Sequence, residues 1–220
     1  MDSPEPSRDC PLCPRLVAFR QANREAFPDW FNAPVPSFGE ESARLLIVGL
    51  APGLRGANRT GRPFTGDYAG QLLYATLCKF GFAAGAYAER PDDGLTLSDC
   101  MITNAVRCVP PANKPETNEI NICRRFLNGR IAALPDLRAI VALGRIAHDS
   151  VLRTLGLRLS GFPFAHGAAH SLPDRQIQLF SSYHCSRYNT STGMLTAEMF
   201  EAVFKQVRTY LDCSAKQGVD

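Results

Sequence analysis

The sequence predicts a three-layer α/β/α protein in which helices cover both faces of a central four-stranded parallel sheet. Four short apolar runs, typical of buried parallel strands, alternate with segments whose apolar residues recur at helical spacing. Each run is followed by polar or glycine-rich sequence, and right-handed crossovers between parallel strands bring those endings to one edge of the sheet. The predicted strands cover residues 45–48, 100–106, 137–143 and 176–182.

Five segments beside these strands predict helices. The first ends before Pro28, which cannot continue a helix, and the second ends at Gly81, a residue typical of helix carboxyl ends. Pro34 and Pro36 predict an extended approach to the first strand. The predicted helices cover residues 16–27, 68–80, 123–134, 146–155 and 196–211, and loops are predicted at 83–97 and 161–173.

Length and composition indicate one globular domain. The chain has 220 residues, of which 45% are hydrophobic and 20% charged, and we expect a single domain spanning residues 1–220 with flexible tails at 1–9 and 213–220. No apolar run approaches the roughly 20 residues of a membrane-spanning helix. The first residues also lack the basic and apolar regions of a secretion signal. We therefore expect a cytoplasmic protein that does not bind membranes.

The basic residues are almost all arginine. Of 24 basic side chains, the lysines are only Lys79, Lys114, Lys205 and Lys216. Guanidinium groups suit phosphate oxygens better than ammonium groups do, but the arginine codons of a GC-rich genome would produce the same excess. The net charge of +3 does not decide between these interpretations. Within the loop after the first strand, the local cluster favours phosphate contacts through Arg55, Arg59 and Arg62.

The eight cysteines indicate metal binding more than disulfides, because a chain without a secretion signal is expected in a reducing compartment. Cys10 and Cys13 form a C-x2-C pair, and Cys108 and Cys123 bracket a proline-rich segment. Four thiolates of this kind suit either zinc or an iron–sulfur cluster. The long separation of the second pair favours a [4Fe–4S] cluster, and four unligated buried cysteines remain the simplest alternative.

The loop at residues 49–67 is the most informative part of the chain. It is rich in glycine and arginine, and Asp67 is its only acid. Loops at the carboxyl ends of strands carry the chemistry of open α/β sheets. Neither a P-loop motif nor a G-x-G-x-x-G pattern follows a strand, which argues against both common kinds of nucleotide site.

Five motifs in this order resemble the iron–sulfur uracil-DNA glycosylases, most closely their family 5, or type B, branch. The motifs are the C-x2-C pair, GLAPG followed by GRPFTGD, TNAVRCVPP with Cys123, IVALG, and HCSRYN. Family 4 carries a glutamate directly after the first glycine of GLAPG, where this chain has Leu50, and this difference points to family 5. The chain departs from the family at Cys185, where relatives usually carry a proline.

The resemblance implies the uracil-DNA glycosylase fold and a structural [4Fe–4S] cluster bound by Cys10, Cys13, Cys108 and Cys123. That cluster would tie the amino terminus to the loop after the second strand and brace the DNA-binding face. The implied activity is hydrolysis of the N-glycosidic bond of uracil in DNA, leaving an abasic site, with hypoxanthine and other deaminated bases as further substrates. Such an enzyme first extrudes the base from the duplex.

Four residues acquire catalytic or base-binding roles through this resemblance. Phe64 would stack on the uracil ring, Asn104 would pair with its N3–H and O4 edge, and His184 would donate to O2 as negative charge develops. Asp67 would activate water or stabilise the oxocarbenium-like sugar. Each residue also has a simpler interpretation: a core phenylalanine, a turn-capping asparagine, a core histidine, and the N-cap of the helix at 68–80.

The remaining motif residues are implied to contact DNA. Base contacts are expected at Gly49, Ala51 and Gly53, and the loop glycines, including Gly56 and Gly61, would let the backbone approach phosphates closely. Phosphate contacts are expected from the three loop arginines. The segment that would enter the minor groove comprises Ser186, Arg187, Tyr188 and Asn189. We expect a monomer that acts on single- or double-stranded DNA.

Two other functional classes remain open on the sequence alone. The first is a non-catalytic iron–sulfur module that binds DNA or a repair partner, which would bind DNA without releasing a base. The second is a nucleotide or phosphate-ester enzyme that uses the glycine- and arginine-rich loop. The missing P-loop lysine and the lack of clustered metal-binding carboxylates argue against the second class.

Overall fold

The computed structural model of the chain, which describes residues 3–173 and 176–216, contains a six-stranded main sheet. The strands are, in chain order, β1 (Phe38–Gly39), β2 (Leu45–Gly49), β3 (Ala83–Ala84), β4 (Thr96–Leu97), β5 (Cys100–Asn104), β6 (Ala139–Leu143), β7 (Ala169–Ser171) and β8 (Gln178–Ser182). The main sheet has the order β1-β5-β2-β6-β8-β7, and β3 and β4 form a separate antiparallel pair.

The four central strands of the main sheet are parallel, as the apolar runs predict. Nearly all of their residues are buried, because helices cover both faces, and this double burial explains why their sequences are continuously apolar rather than alternating. The edge strands β1 and β7 are antiparallel and correct the prediction of a four-stranded sheet. Two- and three-residue strands are too short to produce a recognisable period.

The described residues contain seven α-helices. They are α1 (Pro14–Ala26), α2 (Ala57–Thr60), α3 (Tyr68–Lys79), α4 (Thr117–Ala132), α5 (Arg145–Thr154), α6 (Arg187–Ser191) and α7 (Ala197–Lys216). All five predicted helices are present. Helix α4 begins earlier than predicted because Glu116 and Glu119 form a capping box at its amino end. None of these helices is both long enough and apolar enough to cross a membrane.

The core lies in two layers, one on each face of the main sheet. Helices α3 and α7 pack against one face, where Leu45, Ile47 and Phe180 are buried. Helices α4 and α5 cover the other face, where Leu46, Val48 and the opposite side chains of β6 and β8 are buried. The alternation of side chains along β2 therefore supplies both layers, which confirms the predicted three-layer arrangement.

Parallel pairing brings the candidate loops together at the carboxyl edge of the sheet. Gly49 at the end of β2 pairs in register with Asn104 at the end of β5. On the other side, Leu143 at the end of β6 pairs with Ser182 at the end of β8. The loop after β2 and the segment after β8 therefore leave the sheet at the same edge.

The amino-terminal segment that the sequence predicts as a flexible tail, residues 1–9, is described from residue 3 onward and contacts the rest of the fold there. The Glu5 carboxylate pairs with Arg107 and accepts a hydrogen bond from Arg130 at 2.7 Å, and both guanidinium groups are buried. Helix α7 likewise extends to Lys216, into the predicted tail at 213–220. The rest of that tail, and residues 1 and 2, lie outside the described residues.

Replacing Glu5 by alanine is expected to lower the free energy of unfolding by about 3 kcal/mol near neutral pH, because it leaves the buried Arg107 without its carboxylate partner. Burial alone would raise the pKa of Glu5, but Arg107, Ser37 and Arg130 lower it below its ordinary value. The stabilisation is therefore complete above the ordinary carboxyl pKa of about 4.3 and is lost as pH falls through the lower pKa of the folded protein.

Urea unfolding of the Glu5→Ala variant and the parent protein at several pH values measures this difference. The exposed Glu25 on α1 provides the matched control, Glu25→Ala. Equal unfolding midpoints for Glu5→Ala and Glu25→Ala would show that the amino-terminal ion pairs contribute nothing.

Candidate active site

A pocket of about 630 Å³ opens at the carboxyl edge of the main sheet. Its walls come from the loop after β2, the first turn of α3, the end of β5 and the segment after β8. Phe64, Asp67, Asn104 and His184 all line this pocket, although they come from three separate parts of the chain. The structure thus places in one cavity the four residues to which the sequence assigns catalytic and base-binding roles.

Phe64 is held at the pocket wall by its backbone. Its φ angle of +54° lies in the left-handed region, which bulky residues seldom adopt. The Tyr87 hydroxyl donates to the Phe64 carbonyl oxygen at 3.0 Å, and the Tyr74 hydroxyl donates to the Pro63 carbonyl oxygen at 2.6 Å. The Phe64 ring faces that of His184, with 5.9 Å between centroids and 26° between planes. These bonds fix one flat apolar surface inside the pocket.

Asn104 lies beside Phe64 because position 49 carries no side chain. A Cβ at Gly49 would be 2.7 Å from the Phe64 ring and would collide with Oδ1 of Asn104. Asn104 is itself buried, and its side-chain amide makes no hydrogen bond with any residue that the structure describes. An amide that is buried at a pocket wall in this way offers one donor and one acceptor to a bound molecule.

Asp67 caps α3 and also faces the pocket. Its Oδ1 accepts a hydrogen bond from the Gly70 N–H at 3.2 Å, as the capping interpretation predicts. Its other oxygen, Oδ2, lies against two glycines of the loop, since a Cβ at Gly56 would be 2.5 Å from it and one at Gly53 3.3 Å. Burial raises the pKa of Asp67 above its ordinary value; hydrogen bonds from the backbone of Gly70 and Ala69 lower it in part, and the carboxylate of Glu89 adds a smaller increase.

His184 is a neutral imidazole in this pocket. Burial lowers the pKa of His184 to about 4, so the ring carries no charge at neutral pH. None of the described residues forms a hydrogen bond with its ring. The backbone around it is fixed, because Asn189 Nδ2 donates to the His184 carbonyl oxygen at 2.8 Å and the Cys185 thiol donates to the Ala69 carbonyl oxygen at 3.5 Å.

The three loop arginines have different environments. Arg55 is exposed and lines the pocket, and Arg59 is exposed on α2. Arg62 is only 4% exposed and forms two hydrogen bonds with Asp93, at 2.8 and 2.7 Å. Its guanidinium also lies over the rings of Tyr74 and Tyr87. The prediction that Arg62 contacts phosphate is therefore wrong, because the carboxylate of Asp93 already occupies it.

The segment after β8 forms the short helix α6 at the mouth of the pocket. Ser186 caps it by accepting a hydrogen bond from the Asn189 N–H, and both Ser186 and Arg187 line the pocket. Arg187 lies over the Tyr68 ring at 5.3 Å. Tyr188 is 73% exposed and projects from the surface, whereas the Asn189 amide is engaged with the His184 carbonyl.

The remaining predicted contact residues lie in or behind the pocket. Ala51, Gly53 and Gly56 line it, and Gly49 lies behind its wall. A Cβ at Gly61 would meet the Phe31 ring instead, so that glycine permits packing of the loop onto the extended segment before β1.

Three residues with positions relevant to the site were not singled out in the sequence. Tyr87 and Asp93 lie in the predicted loop at 83–97 and hold Phe64 and Arg62. Asn113 lines the pocket from the loop between Cys108 and Cys123, in a left-handed conformation with φ of +56°. None of the three had a local sequence signal, because their contacts join segments that are distant in the chain.

The four cysteines singled out in the sequence line a second, small cavity behind the sheet edge. Cys10 and Cys13 precede α1, Cys108 follows β5, and Cys123 lies on α4, yet all four border the same space. All eight cysteines of the chain are free thiols. The Arg107 N–H donates to the Cys123 sulfur at 3.3 Å. Burial raises the pKa of Cys108 to about 11 and that of Cys123 to about 12, so both are neutral without a bound cation.

This donor set fits an iron–sulfur cluster better than a single metal ion. Tetrahedral zinc needs four sulfurs within about 2.3 Å of one point, and no group of three or more metal-binding side chains in the described part of the chain is arranged to hold one ion. Four soft ligands around an apolar cavity nevertheless match the requirements of a multi-iron cluster, whose ligands bind separate irons and stand farther apart.

Comparison with known proteins gives one consistent result. A model of the uracil DNA glycosylase superfamily matches residues 36–208. The chain is 47% identical over 205 residues to a type-5 uracil-DNA glycosylase of Thermus thermophilus, covering 90% of this chain and 92% of that protein. It is 41% identical over 209 residues to a type-5 uracil-DNA glycosylase of Mycobacterium tuberculosis, covering 90% and 77%. A type-4 uracil-DNA glycosylase of Pyrobaculum aerophilum is 33% identical over 180 residues, covering 80% and 78%.

Replacing Gly49 by alanine is expected to lower the free energy of unfolding by about 1–3 kcal/mol, because the added methyl group must displace Phe64 and Asn104. Urea unfolding midpoints measure this cost. Gly161→Ala is the matched control, since a Cβ there meets no atom within 4 Å. If both variants unfold at the same urea concentration, the close packing of Gly49, Phe64 and Asn104 is not a constraint on the fold.

Proposed function

The chain belongs to the uracil-DNA glycosylase superfamily, and on that premise we propose that the pocket at the sheet edge is where it excises uracil. It is a DNA-repair glycosylase that hydrolyses the N-glycosidic bond of uracil in DNA. The observation that supports this site is the convergence of Phe64, Asp67, Asn104 and His184 on one cavity. A flipped nucleotide must enter such a cavity, because the bond is inaccessible inside a duplex.

The uracil ring lies on Phe64 and pairs with Asn104. The Phe64 ring offers a flat apolar face that its backbone bonds already hold in place, so little ordering is needed when a base arrives. The Asn104 amide has an unused donor and an unused acceptor. Uracil presents an acceptor at O4 and a donor at N3, and a single amide can satisfy both.

His184 stabilises the departing base. Breaking the bond between the sugar and the base leaves negative charge on uracil, much of it on O2. A neutral imidazole N–H that donates to O2 spreads this charge without first giving up a proton of its own. The low pKa of His184, about 4, keeps the ring neutral throughout the physiological range.

Asp67 acts on the sugar side of the bond. Its Oδ1 is engaged by the Gly70 N–H, so Oδ2 is the oxygen that activates water or stabilises the cationic sugar. The two interpretations of Asp67, helix cap and catalytic carboxylate, thus use different oxygens of one side chain. The cap orients the side chain, and the raised pKa brings it nearer to that of a useful base.

DNA lies across the mouth of the pocket. Exposed Arg55 and Arg59 contact phosphates on one side, and the loop glycines let the backbone approach the strand. On the other side, Ser186 and Arg187 border the pocket, and Tyr188 fills the gap that the flipped nucleotide leaves in the stack. The chain acts as a monomer on single- or double-stranded DNA.

The cysteine cavity holds a [4Fe–4S] cluster on Cys10, Cys13, Cys108 and Cys123. The four thiols border one cavity, which supports this assignment. The cluster supplies no step of the hydrolysis. It joins the amino terminus to the loop after β5 and to α4, and Asn113 of that same loop lines the catalytic pocket.

Asp67→Asn is expected to reduce the single-turnover rate of uracil excision by about 10²-fold or more while leaving the unfolding midpoint almost unchanged, because asparagine caps helices as well as aspartate does. In the parent enzyme the rate should fall as pH drops through the raised pKa of Asp67, since only the carboxylate is active. The measurement is alkaline cleavage of a uracil-containing oligonucleotide at a series of pH values.

The exposed Asp29 provides the matched control for this experiment, Asp29→Asn. DNA affinity of both variants should equal that of the parent protein. An unchanged single-turnover rate for Asp67→Asn would remove Asp67 from the mechanism.

Asn104→Ala is expected to slow excision of uracil by at least about tenfold more than excision of hypoxanthine, because the matching acceptor and donor of hypoxanthine, O6 and N1–H, lie on a larger ring system and farther from the sugar than O4 and N3–H of uracil. The apolar Leu50 and Ala51 line the same pocket and would admit the larger base. Single-turnover rates on matched oligonucleotides give the ratio, with Asn121→Ala on the exposed face of α4 as control. Equal losses on both bases would contradict an edge-reading role for Asn104.

A further inference from the structure

Arg20 lines the cysteine cavity and is almost completely buried. It is on α1, is 3% exposed, and borders the cavity with the four cysteines. One guanidinium nitrogen donates to the Cys108 sulfur at 3.6 Å, and the other donates to the Cys10 carbonyl oxygen at 3.0 Å. Its buried Nε has no hydrogen-bond partner among the described residues.

Arg20 differs from the other buried arginines in forming no salt bridge with a carboxylate, and the exposed Asp9 acts on it only through longer-range electrostatic attraction. Arg62 pairs with Asp93, and Arg107 and Arg130 pair with Glu5. Over residues 3–173 and 176–216, no ion pair involves Arg20, although it is buried as deeply as the three that are paired. Because an unpaired buried charge strongly destabilises a fold, an anion is expected within reach of this guanidinium.

The Arg20 guanidinium borders the cysteine cavity and already donates to one of its four sulfur atoms. Four thiolates around a dicationic iron–sulfur core carry two negative charges in excess, and these charges would be centred in the cavity. Arg107 also borders the cavity, but its guanidinium is paired with Glu5, and its contact with the cysteines is the backbone N–H that donates to the Cys123 sulfur.

We infer that Arg20 is the counter-cation of the cluster, and that its hydrogen bond to Cys108 stabilises the bound cluster and favours the more negative, reduced state. This inference rests on the proposed [4Fe–4S] cluster. Arg20 does not line the catalytic pocket, so it acts on the cluster and not on the excised base.

The test compares Arg20→Gln, Arg20→Lys and a control, Arg24→Gln, all purified without oxygen. Arg24 is on the same helix, one turn further, and pairs with Asp9 near the surface. Three quantities are measured for each full-length protein: iron per chain with absorbance near about 400 nm, the one-electron reduction potential, and the rate at which the absorbance is lost in the presence of an iron chelator.

Arg20→Gln is expected to shift the reduction equilibrium at least tenfold against the reduced cluster, which is about 59 mV for a one-electron couple. It should also lose its absorbance several times faster than the parent protein. Arg20→Lys retains the positive charge and should lie between the two, and Arg24→Gln should match the parent. Uracil excision by the loaded variants should remain within about twofold of the parent rate, because the pocket is unchanged.

Two outcomes would overturn the inference. In the first, Arg20→Gln has the potential and the cluster lifetime of the parent protein. In the second, Arg20→Lys is as impaired as Arg20→Gln, which would mean that shape and not charge is required. If Arg20→Gln loses the cluster during purification while Arg20→Lys retains it, the inference is supported. A parent protein that contains no iron would instead refute the cluster proposal, which is a separate result.

Discussion

The pairing of β2 with β5 is the constraint on which the rest of the site depends. Its register places Gly49 opposite Asn104, and the missing side chain at Gly49 leaves the space in which Asn104 and the Phe64 ring meet. A slip of one residue would turn Asn104 to the other face of the sheet. The loop after β2 can then fold back over the strand ends and bring Asp67 to the amino end of α3. The positions of the base-binding residues and of Asp67 therefore both depend on the register between β2 and β5.

A second set of interactions, made by Arg107, stabilises the carboxyl edge of the sheet. Arg107 follows β5 by only three residues, pairs with Glu5 and donates its backbone N–H to Cys123. It thereby links the amino terminus, the central sheet and the cysteine cavity. The proline-rich loop between Cys108 and Cys123 also contains Asn113, which lines the catalytic pocket. The cysteine cavity and the catalytic pocket are therefore bordered by the same segment of chain.

The sequence predicted the parts of this structure that have local signals. Long apolar runs identified the four parallel strands, and motif residues identified Phe64, Asp67, Asn104 and His184, which the fold brings together. The edge strands were missed because β1 and β7 are too short to show a period. The environment of Arg62 was also missed, since its partner Asp93 lies 31 residues away in a segment without periodicity. Glu5 lies in the segment predicted as a flexible tail, because its partners Arg107 and Arg130 are distant in the sequence.

The burial of Arg62 has a consequence for how the molecule responds to ionic strength. Its pair with Asp93 holds the loop at residues 49–67 against the segment that carries Tyr87, and it is shielded from mobile ions. Exposed Arg55 and Arg59, which we propose to contact phosphates, are screened by the same ions to a degree that rises with salt concentration. Added salt should thus release the nucleic acid while the shape of the pocket persists. In this one loop, Arg62 therefore stabilises the fold, whereas the contribution of Arg55 and Arg59 to DNA binding depends on the salt concentration.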